Sequence, residues 1–267
     1  MTYEFSRDTS LERTGSGTWR GEVADGWDVA GVPNGGYIMA LMLTGMLGEV
    51  EQPDPLTTTT HFLAPPRPGL VGLHTHVAKS GRRYSTVRGD LLQDDRIIAT
   101  SIVMAADLAL DGRDVRVDVA PHGYPSPESC RVATRTGPGS VVAVLDRVEI
   151  RMAPDLAGFA TGNPSGEAAA GGWARFADGR PIDTRSLTFF ADTFAPPILN
   201  LGLEFAWVPT LELTVHVRRR PATEWVAARF SSHVMMNGHL EEDGVIWDED
   251  GSLIAQSRQI AVLPASS

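Results

Sequence analysis

The 267-residue sequence has little cysteine and little lysine, with Cys130 and Lys79 as the single example of each. One cysteine excludes an internal disulfide framework and a cysteine-rich metal site, because each needs several thiols in one chain. No run of about 18 apolar residues occurs, and residues 1–15 lack an apolar core of signal-peptide length. We therefore expect a cytoplasmic protein in a reducing compartment.

Positive charge is also scarce, and the formal net charge is −10. Nucleic acids and membrane surfaces are bound through basic patches, so neither is expected as a partner. An anionic ligand would have to be met by a local group of arginines, for which residues 82–83 and 218–220 are the candidates. A charge run beside a turn is usually a solvated face.

Several catalytic and cofactor motifs are missing. No G-x-S-x-G occurs, which argues against an α/β-hydrolase with its serine at a nucleophile elbow. The stretch GSGTWRG is not the G-x-G-x-x-G fingerprint and opens no helix, so no dinucleotide cofactor is expected. His74 and His76 would share one face of a strand, but no third ligand is evident, which favours a surface interpretation over a metal site.

The same order of predicted elements occurs twice in the chain. Each half has a strand candidate, an apolar helix and then four strand-like runs separated by turn residues. The helices are predicted at 37–47 and 183–195. The strand-like runs are 56–63, 70–79, 84–93 and 96–105 in the first half and 210–217, 225–235, 238–250 and 253–263 in the second. Like residues recur at a spacing of 155 or 156, as in the pairs His61 and His216, Pro66 and Pro221, and Ile98 and Ile254.

This repeat predicts two like modules in one polypeptide. A strand, a buried helix and a run of antiparallel strands is the layout of a hotdog domain, in which a curved sheet wraps one long apolar helix. We therefore expect an α+β double hotdog. Residues 1–125 would form the N-terminal module with a connector rich in Pro, Gly and Asp, and residues 126–267 the C-terminal module.

Asp192 is the most unusual residue of the second half, because it interrupts the apolar run SLTFFADTFAPPIL. Burying an ionised carboxylate without partners costs several kcal/mol, on the order of the whole stability margin of a protein. Subtracting the repeat spacing shows that three polar residues occur in the second half alone. The matched pairs are Asp192 and Gly36, Thr210 and Pro55, and Gln259 and Val103.

These three positions resemble the catalytic residues of the acyl-CoA thioesterase II family of double-hotdog enzymes, in which an Asp, a Thr and a Gln follow in that order. The matching segments are FFADTFAPPIL, VPTLELTVHVRRRP and LIAQSRQIAVL, with NGGYIMALML, HFLAPPRPG and IIATSIVMAA in the first half. The resemblance spans nearly the whole chain and is weakest in the connector and in the loop at 153–171. It implies a cofactor-independent thioesterase with Asp192, Thr210 and Gln259 as its catalytic residues.

The residue types fit thioester hydrolysis through an activated water. Asp192 would accept a proton from the water, while Thr210 and Gln259 would fix its position. Apolar surroundings raise the pKa of a carboxyl and hydrogen bonds lower it, and the sequence leaves the balance for Asp192 open. The segment PNGG leads directly into the first helix, where free amides face the helix start, so we expect oxyanion and substrate binding at Asn34, Gly35 and Gly36.

The expected partner is an acyl-CoA. Its phosphates would be met by Arg82, Arg83 and Arg218, because planar guanidinium groups bind phosphate well. The acyl chain would lie between the two helices, with the candidate lining residues Phe189, Phe190, Phe194, Met39 and Met42. A double hotdog already contains the interface that single hotdogs form by dimerising, and further homo-oligomerisation is left open.

Two other functions remain open at this point. A non-catalytic acyl-thioester binding protein would keep the fold and bind without turnover, and a structural assembly module would have no affinity for CoA esters. Each polar residue also has a plain explanation by itself, such as a helix-start carboxylate for Asp192, held by the dipole or by Arg185. Hotdog dehydratases use a His with a carboxylate, and neither predicted helix contains a His.

Overall fold

The computed structural model describes residues 2–109, 116–134, 136–137, 140–203 and 208–263. Within these ranges the α-helices are α1 Glu4–Asp8, α2 Gly35–Leu47 and α3 Ser186–Phe190. Short 3-10 helices lie at Pro127–Ser129, Ala143–Asp146, Pro154–Leu156, Gly158–Thr161 and Pro197–Leu201.

Strands make up most of the regular structure. In the first half they are β1 Leu11–Gly15, β2 Thr18–Val23, β3 Asp28–Val29, β4 Val32–Pro33, β5 Asp54–Phe62, β6 Gly69–Lys79, β7 Ser85–Gln93 and β8 Arg96–Ala106. In the rest of the chain they are β9 Arg131–Val132, β10 Thr136–Gly137, β11 Ser140–Val141, β12 Val148–Met152, β13 Ala169–Phe176, β14 Thr210–Val217, β15 Val226–Ser231, β16 Met235–Met236, β17 His239–Asp248 and β18 Leu253–Val262. Every strand-like run expected after the two helices is therefore a strand.

Fourteen of the described strands form one antiparallel sheet, in the order β1-β2-β6-β7-β8-β5-β14-β18-β17-β15-β13-β12-β9, with β16 added beside β17. The order is the same on both sides of the β5 and β14 pair. Moving outward, β8, β7, β6, β2 and β1 follow β5, and β18, β17, β15, β13 and β12 follow β14. The repeated sequence pattern therefore has a repeated sheet topology.

The two halves meet where β5 pairs with β14. Thr59 and Thr214 are direct partners in this pair, and their hydroxyl oxygens are 2.8 Å apart. They are also 155 residues apart, which is the repeat spacing. A residue that faces its own counterpart lies on an axis of approximate twofold symmetry, so such an axis passes through the centre of the sheet.

Helix α2 lies in the core because its residues are apolar on every side. It packs against β1, β5, β6, β7 and β8 and against α3. Residues 36–43 are all buried. Asn34 caps the helix, since its side-chain oxygen accepts the Tyr37 N–H at 2.9 Å.

Four of the five side chains expected to line an acyl channel are instead part of the core. Phe189, Phe190, Met39 and Met42 are completely buried in one cluster. The fifth, Phe194, is partly buried, and its ring lies 5.4 Å from that of Phe230. Contact of these side chains with an acyl chain stays a prediction.

The second helix is shorter than expected. The sequence predicts helix over 183–195, whereas α3 spans five residues, Ser186–Phe190. The hydroxyls of Thr188 and Thr193 bond back to main-chain carbonyls, which competes with regular helix, and two prolines follow at 196 and 197. The expectation of a long apolar helix in each module is thus wrong for the second half, and Asp192 lies just beyond the helix rather than on it.

Part of the connector covers the outer face of the second-half sheet. Trp173 Nε1 donates to the Pro125 carbonyl at 2.8 Å, and the Tyr124 hydroxyl donates to the Ala228 carbonyl at 3.2 Å. Trp173, Trp225 and Trp247 are buried there in one cluster. Residues 110–115, 135 and 138–139 of the connector lie outside the described residues. In the described parts, no helix has the length and apolar character to cross a membrane.

Candidate functional site

The candidate site lies where the start of α2 meets the segment after α3. Asn34 Nδ2 donates to Asp192 Oδ2 at 3.0 Å and to the Asp192 carbonyl at 2.6 Å. The Gly36 N–H donates to the same Oδ2 at 2.9 Å. One oxygen of the carboxylate is thus held by the first half of the chain, although Asp192 belongs to the second.

Glycine at 35 and 36 is what allows this close approach. A Cβ on Gly36 would lie 2.5 Å from the Thr188 carbonyl oxygen and 2.9 Å from Asp192 Cβ, and one on Gly35 would lie 3.0 Å from Asp192 Oδ2. Gly36 and Asp192 are 156 residues apart, so they are counterparts in the repeat. Like Thr59 and Thr214, they meet near the twofold axis, and there is room for one side chain between them.

Burial raises the pKa of Asp192 to about 6, although the hydrogen bonds of Gly36, Gly35 and Asn34 lower it. Burial therefore outweighs the hydrogen bonds in setting the pKa of Asp192, a question that the sequence left open. Such a carboxyl is mostly ionised at neutral pH and yet is a stronger base than an ordinary aspartate. The sequence predicts that the Gly36 N–H binds an oxyanion. In the structure this N–H already donates to the Asp192 carboxylate.

Thr210 and Gln259 are also brought together. The Thr210 hydroxyl donates to Gln259 Oε1 at 2.8 Å. Thr210 pairs with Ala261 and Glu212 with Ile260, so the residue between them is an extra one in a β-bulge. The bulge turns Thr210 to the inner face of the sheet, whereas simple alternation with Glu212 and Thr214 would point it outward.

One site residue was missed by the sequence reasoning. Glu242 on β17 is the direct partner of Gln259 on β18, and its side chain is only 7% exposed. Burial and the negative charge of Asp192 together raise the pKa of Glu242 to about 8, although a hydrogen bond from Gln259 lowers it. The second half therefore carries two acidic groups in one buried site.

A signal for Glu242 was present in the repeat. Its counterpart 155 residues earlier is Val87, and the counterpart of Gln259 is Val103. These two valines are direct partners and are completely buried. The run of three acidic residues at 241–243 has the composition of a solvated surface. Strand alternation nevertheless places its central residue, Glu242, on the inner face.

The predicted phosphate-binding arginines lie in two separate loops. Arg82 and Arg83 are exposed between β6 and β7, and Arg218 is exposed after β14, where its Nε donates to Gln256 Oε1 at 3.0 Å. Contact of these residues with CoA stays a prediction. His74 and His76 line a shallow cavity of about 190 Å³, and the described residues hold no group of three or more metal-binding side chains.

Comparison with solved structures defines the class of fold. A protein of unknown function with a hotdog fold from Alicyclobacillus acidocaldarius superposes with a TM-score of 0.88 at 19% identity, covering 100% of both chains. The large antiparallel sheet and its buried helix are thus a hotdog fold.

Sequence models then identify the family. Residues 23–106 match the acyl-CoA thioesterase N-terminal domain and residues 127–263 match the acyl-CoA thioesterase C-terminal domain. The chain belongs to this acyl-CoA thioesterase family, as the resemblance in its sequence predicted.

Two further relatives agree with this assignment. A protein described as a candidate thioesterase II from Thermobifida fusca has a TM-score of 0.90 at 27% identity, covering 99% of this chain and 100% of its own. The thioesterase-like protein TwmA from Talaromyces wortmannii is 26% identical, covering 97% of this chain and 91% of its own.

Proposed function

We propose that the protein hydrolyses an acyl-CoA thioester to the free acid and CoA, without a cofactor, at a single site near the twofold axis of a double hotdog with modules 1–125 and 126–267. The observation that carries this proposal is the Asp192 carboxylate, held through Oδ2 by Asn34 and Gly36 and with its pKa raised by burial to about 6. A family of thioesterases gives the class of substrate.

In the proposed reaction Asp192 acts as the general base. Its second oxygen takes a proton from water, and the hydroxide that forms adds to the thioester carbonyl carbon. The tetrahedral intermediate then collapses with cleavage of the carbon–sulfur bond. The CoA thiolate leaves and receives the proton from Asp192, which restores the carboxylate.

Thr210 and Gln259 would position the water. The Thr210 hydroxyl donates to Gln259 Oε1, so the amide is oriented with its nitrogen away from Thr210. One Gln259 Nε2 hydrogen is then available to the water oxygen or to the developing oxyanion. We assign Asn34 and Gly36 to holding the base, because their donors already end on Asp192.

The test is free-thiol release from a panel of acyl-CoAs with the native protein and with Asp192→Asn. Asparagine can still accept the Gly36 N–H but cannot take a proton from water, so we expect kcat to fall at least about a hundredfold. Asp250→Asn is a matched control, because Asp250 lies in an exposed turn. Tight binding of acyl-CoA without turnover by the native protein would favour the binding-protein alternative, and no affinity at all would favour a structural module.

The pH dependence follows from the raised pKa of Asp192. Only the ionised carboxylate can accept the proton, so the acid limb of the kcat/KM profile of the native protein should have its midpoint near pH 6. An acid limb at the ordinary aspartate value, near pH 4, would contradict the assignment of Asp192 as a buried base.

A further inference from the structure

Glu242 is a buried acidic residue that the proposed reaction does not use. Its side chain lies on the inner face of β17, the same face as Leu240 and Gly244. Its strand partner is Gln259. The equivalent pair in the first half consists of two buried valines, so a carboxyl is not needed to complete this part of the fold.

We propose that Glu242 is a positioning residue for thioester hydrolysis, which in its neutral form holds the Gln259 amide from the side opposite Thr210 and in its ionised form blocks turnover. This inference rests on the proposed function.

The geometry of Gln259 supports a two-sided hold. Its Oε1 accepts from Thr210 at 2.8 Å, and its side chain also hydrogen-bonds to Glu242 on the neighbouring strand. The first contact uses the oxygen of the amide, and the second stabilises a carboxylate, so it uses the nitrogen. An amide bound at both ends cannot flip, and this fixes the direction of its remaining N–H toward the water.

The charges around Glu242 explain why its protonation matters. Asp192 acts on it from the segment after α3, and Glu241 and Asp243 flank it on its own strand. Glu241 accepts the His233 N–H, and Asp243 is paired with Arg258 of β18. Ionisation of Glu242 would place a second negative charge beside the Asp192 carboxylate and draw the Gln259 amide hydrogens onto itself.

A bell-shaped pH profile follows. Activity rises as Asp192 ionises near pH 6 and falls as Glu242 ionises near pH 8. Because each group has one active form, kcat/KM should fall about tenfold for each pH unit above the second value.

The experiment compares the pH profile of kcat/KM for native protein, Glu242→Gln and Glu242→Val, with the loss of the thioester ultraviolet absorbance as the readout. Glutamine mimics the neutral carboxyl, so Glu242→Gln should keep its activity at pH 7 within about threefold and lose the alkaline fall. Valine, the residue of the first half, leaves the amide unheld, so kcat/KM should be about tenfold below the native value near pH 7 and show no alkaline fall. The control Glu51→Gln, in the exposed turn between α2 and β5, should keep the native profile.

An alkaline fall that persists in Glu242→Gln, or equal activity of the Gln and Val variants, would overturn the role of Glu242 while leaving hydrolysis established. No turnover by native protein with any acyl-CoA would overturn the proposed function instead. If the variants do not fold, carboxyl titration of native protein by carbon-13 NMR decides, since Glu242 should titrate near pH 8. A value near that of ordinary glutamate contradicts the proposal.

Discussion

The two halves of the molecule share one topology but differ in what they place inside it. At counterpart positions the first half has Gly36, Val87 and Val103, and the second has Asp192, Glu242 and Gln259. The first set is apolar and the second can hold and move a proton. Because the two halves lie in one chain, a position in one half can differ from its counterpart in the other.

The twofold axis shows why the difference is necessary. Gly36 and Asp192 are counterparts in contact, and a side chain on both would put two Cβ atoms about 2.9 Å apart. Two identical subunits with Asp at this position would also bring like charges together, which costs free energy in a buried site. Only a chain with unlike halves can place Asp opposite Gly.

The outer faces of the halves differ as well. The connector buries three tryptophans against the second half, whereas in the first half Leu70 is 70% exposed and Ile102 is 55% exposed. The second half therefore has a covered sheet around the candidate site, and the first half supplies the buried helix and its capped start.

The largest expected effect comes from adding a side chain at Gly36, next to its counterpart Asp192. Gly36→Ala would put a Cβ 2.5 Å from the Thr188 carbonyl oxygen, so α2 and α3 would have to separate. We expect a loss of about 3 kcal/mol in unfolding free energy, measured by urea denaturation. Thiol release should also fall, because the hydrogen bond from residue 36 to Asp192 would be lost.

The control for this change is Gly72→Ala on β6, where the nearest heavy atom to the new Cβ is 3.9 Å away. Its stability should stay within about 0.5 kcal/mol of the native value. Equal stability of the two variants would show that α2 and α3 leave enough space at Gly36 for a methyl group.

A smaller effect is expected from making the site of the second half resemble the first. Gln259→Val introduces the residue of the first half and removes the acceptor of the Thr210 hydroxyl. Because the water would lose its positioning group, we expect kcat to fall about thirtyfold, with KM changed less than about threefold. Val103→Leu, a buried change in the first half, serves as the matched control.

Native kcat in Gln259→Val would show that the polar residue of the second half is not used for chemistry. A parallel loss of activity in Val103→Leu would mean that any disturbance of these strands has the same effect.

The smallest effect is expected at the junction itself. Thr214→Val removes one of the two hydroxyls that face each other across β5 and β14. The loss should be about 1 kcal/mol in unfolding free energy, with activity unchanged, because the pair is partly exposed to water. Thr86→Val on β7 is the control, and an equal change there would indicate a general effect of threonine loss.

The sequence by itself determined the repeat, the strands of each half, the buried first helix and the family. These follow from local patterns, since alternation, turn residues and an all-apolar helix act over a few residues. Subtraction of the repeat spacing also brought Asp192, Thr210 and Gln259 to attention. Their roles in catalysis stay predictions until turnover is measured.

Only the tertiary structure decided the short α3, the bulge that turns Thr210 inward, the hold of Gly36 and Asn34 on Asp192, and the burial of Glu242. Each depends on contact between segments far apart in the chain. A run of three acidic residues has the same local pattern whether its central member faces water or the buried amide of Gln259. The physical reason is that burial and charge are set by neighbours across the sheet and across the axis, which no local pattern contains.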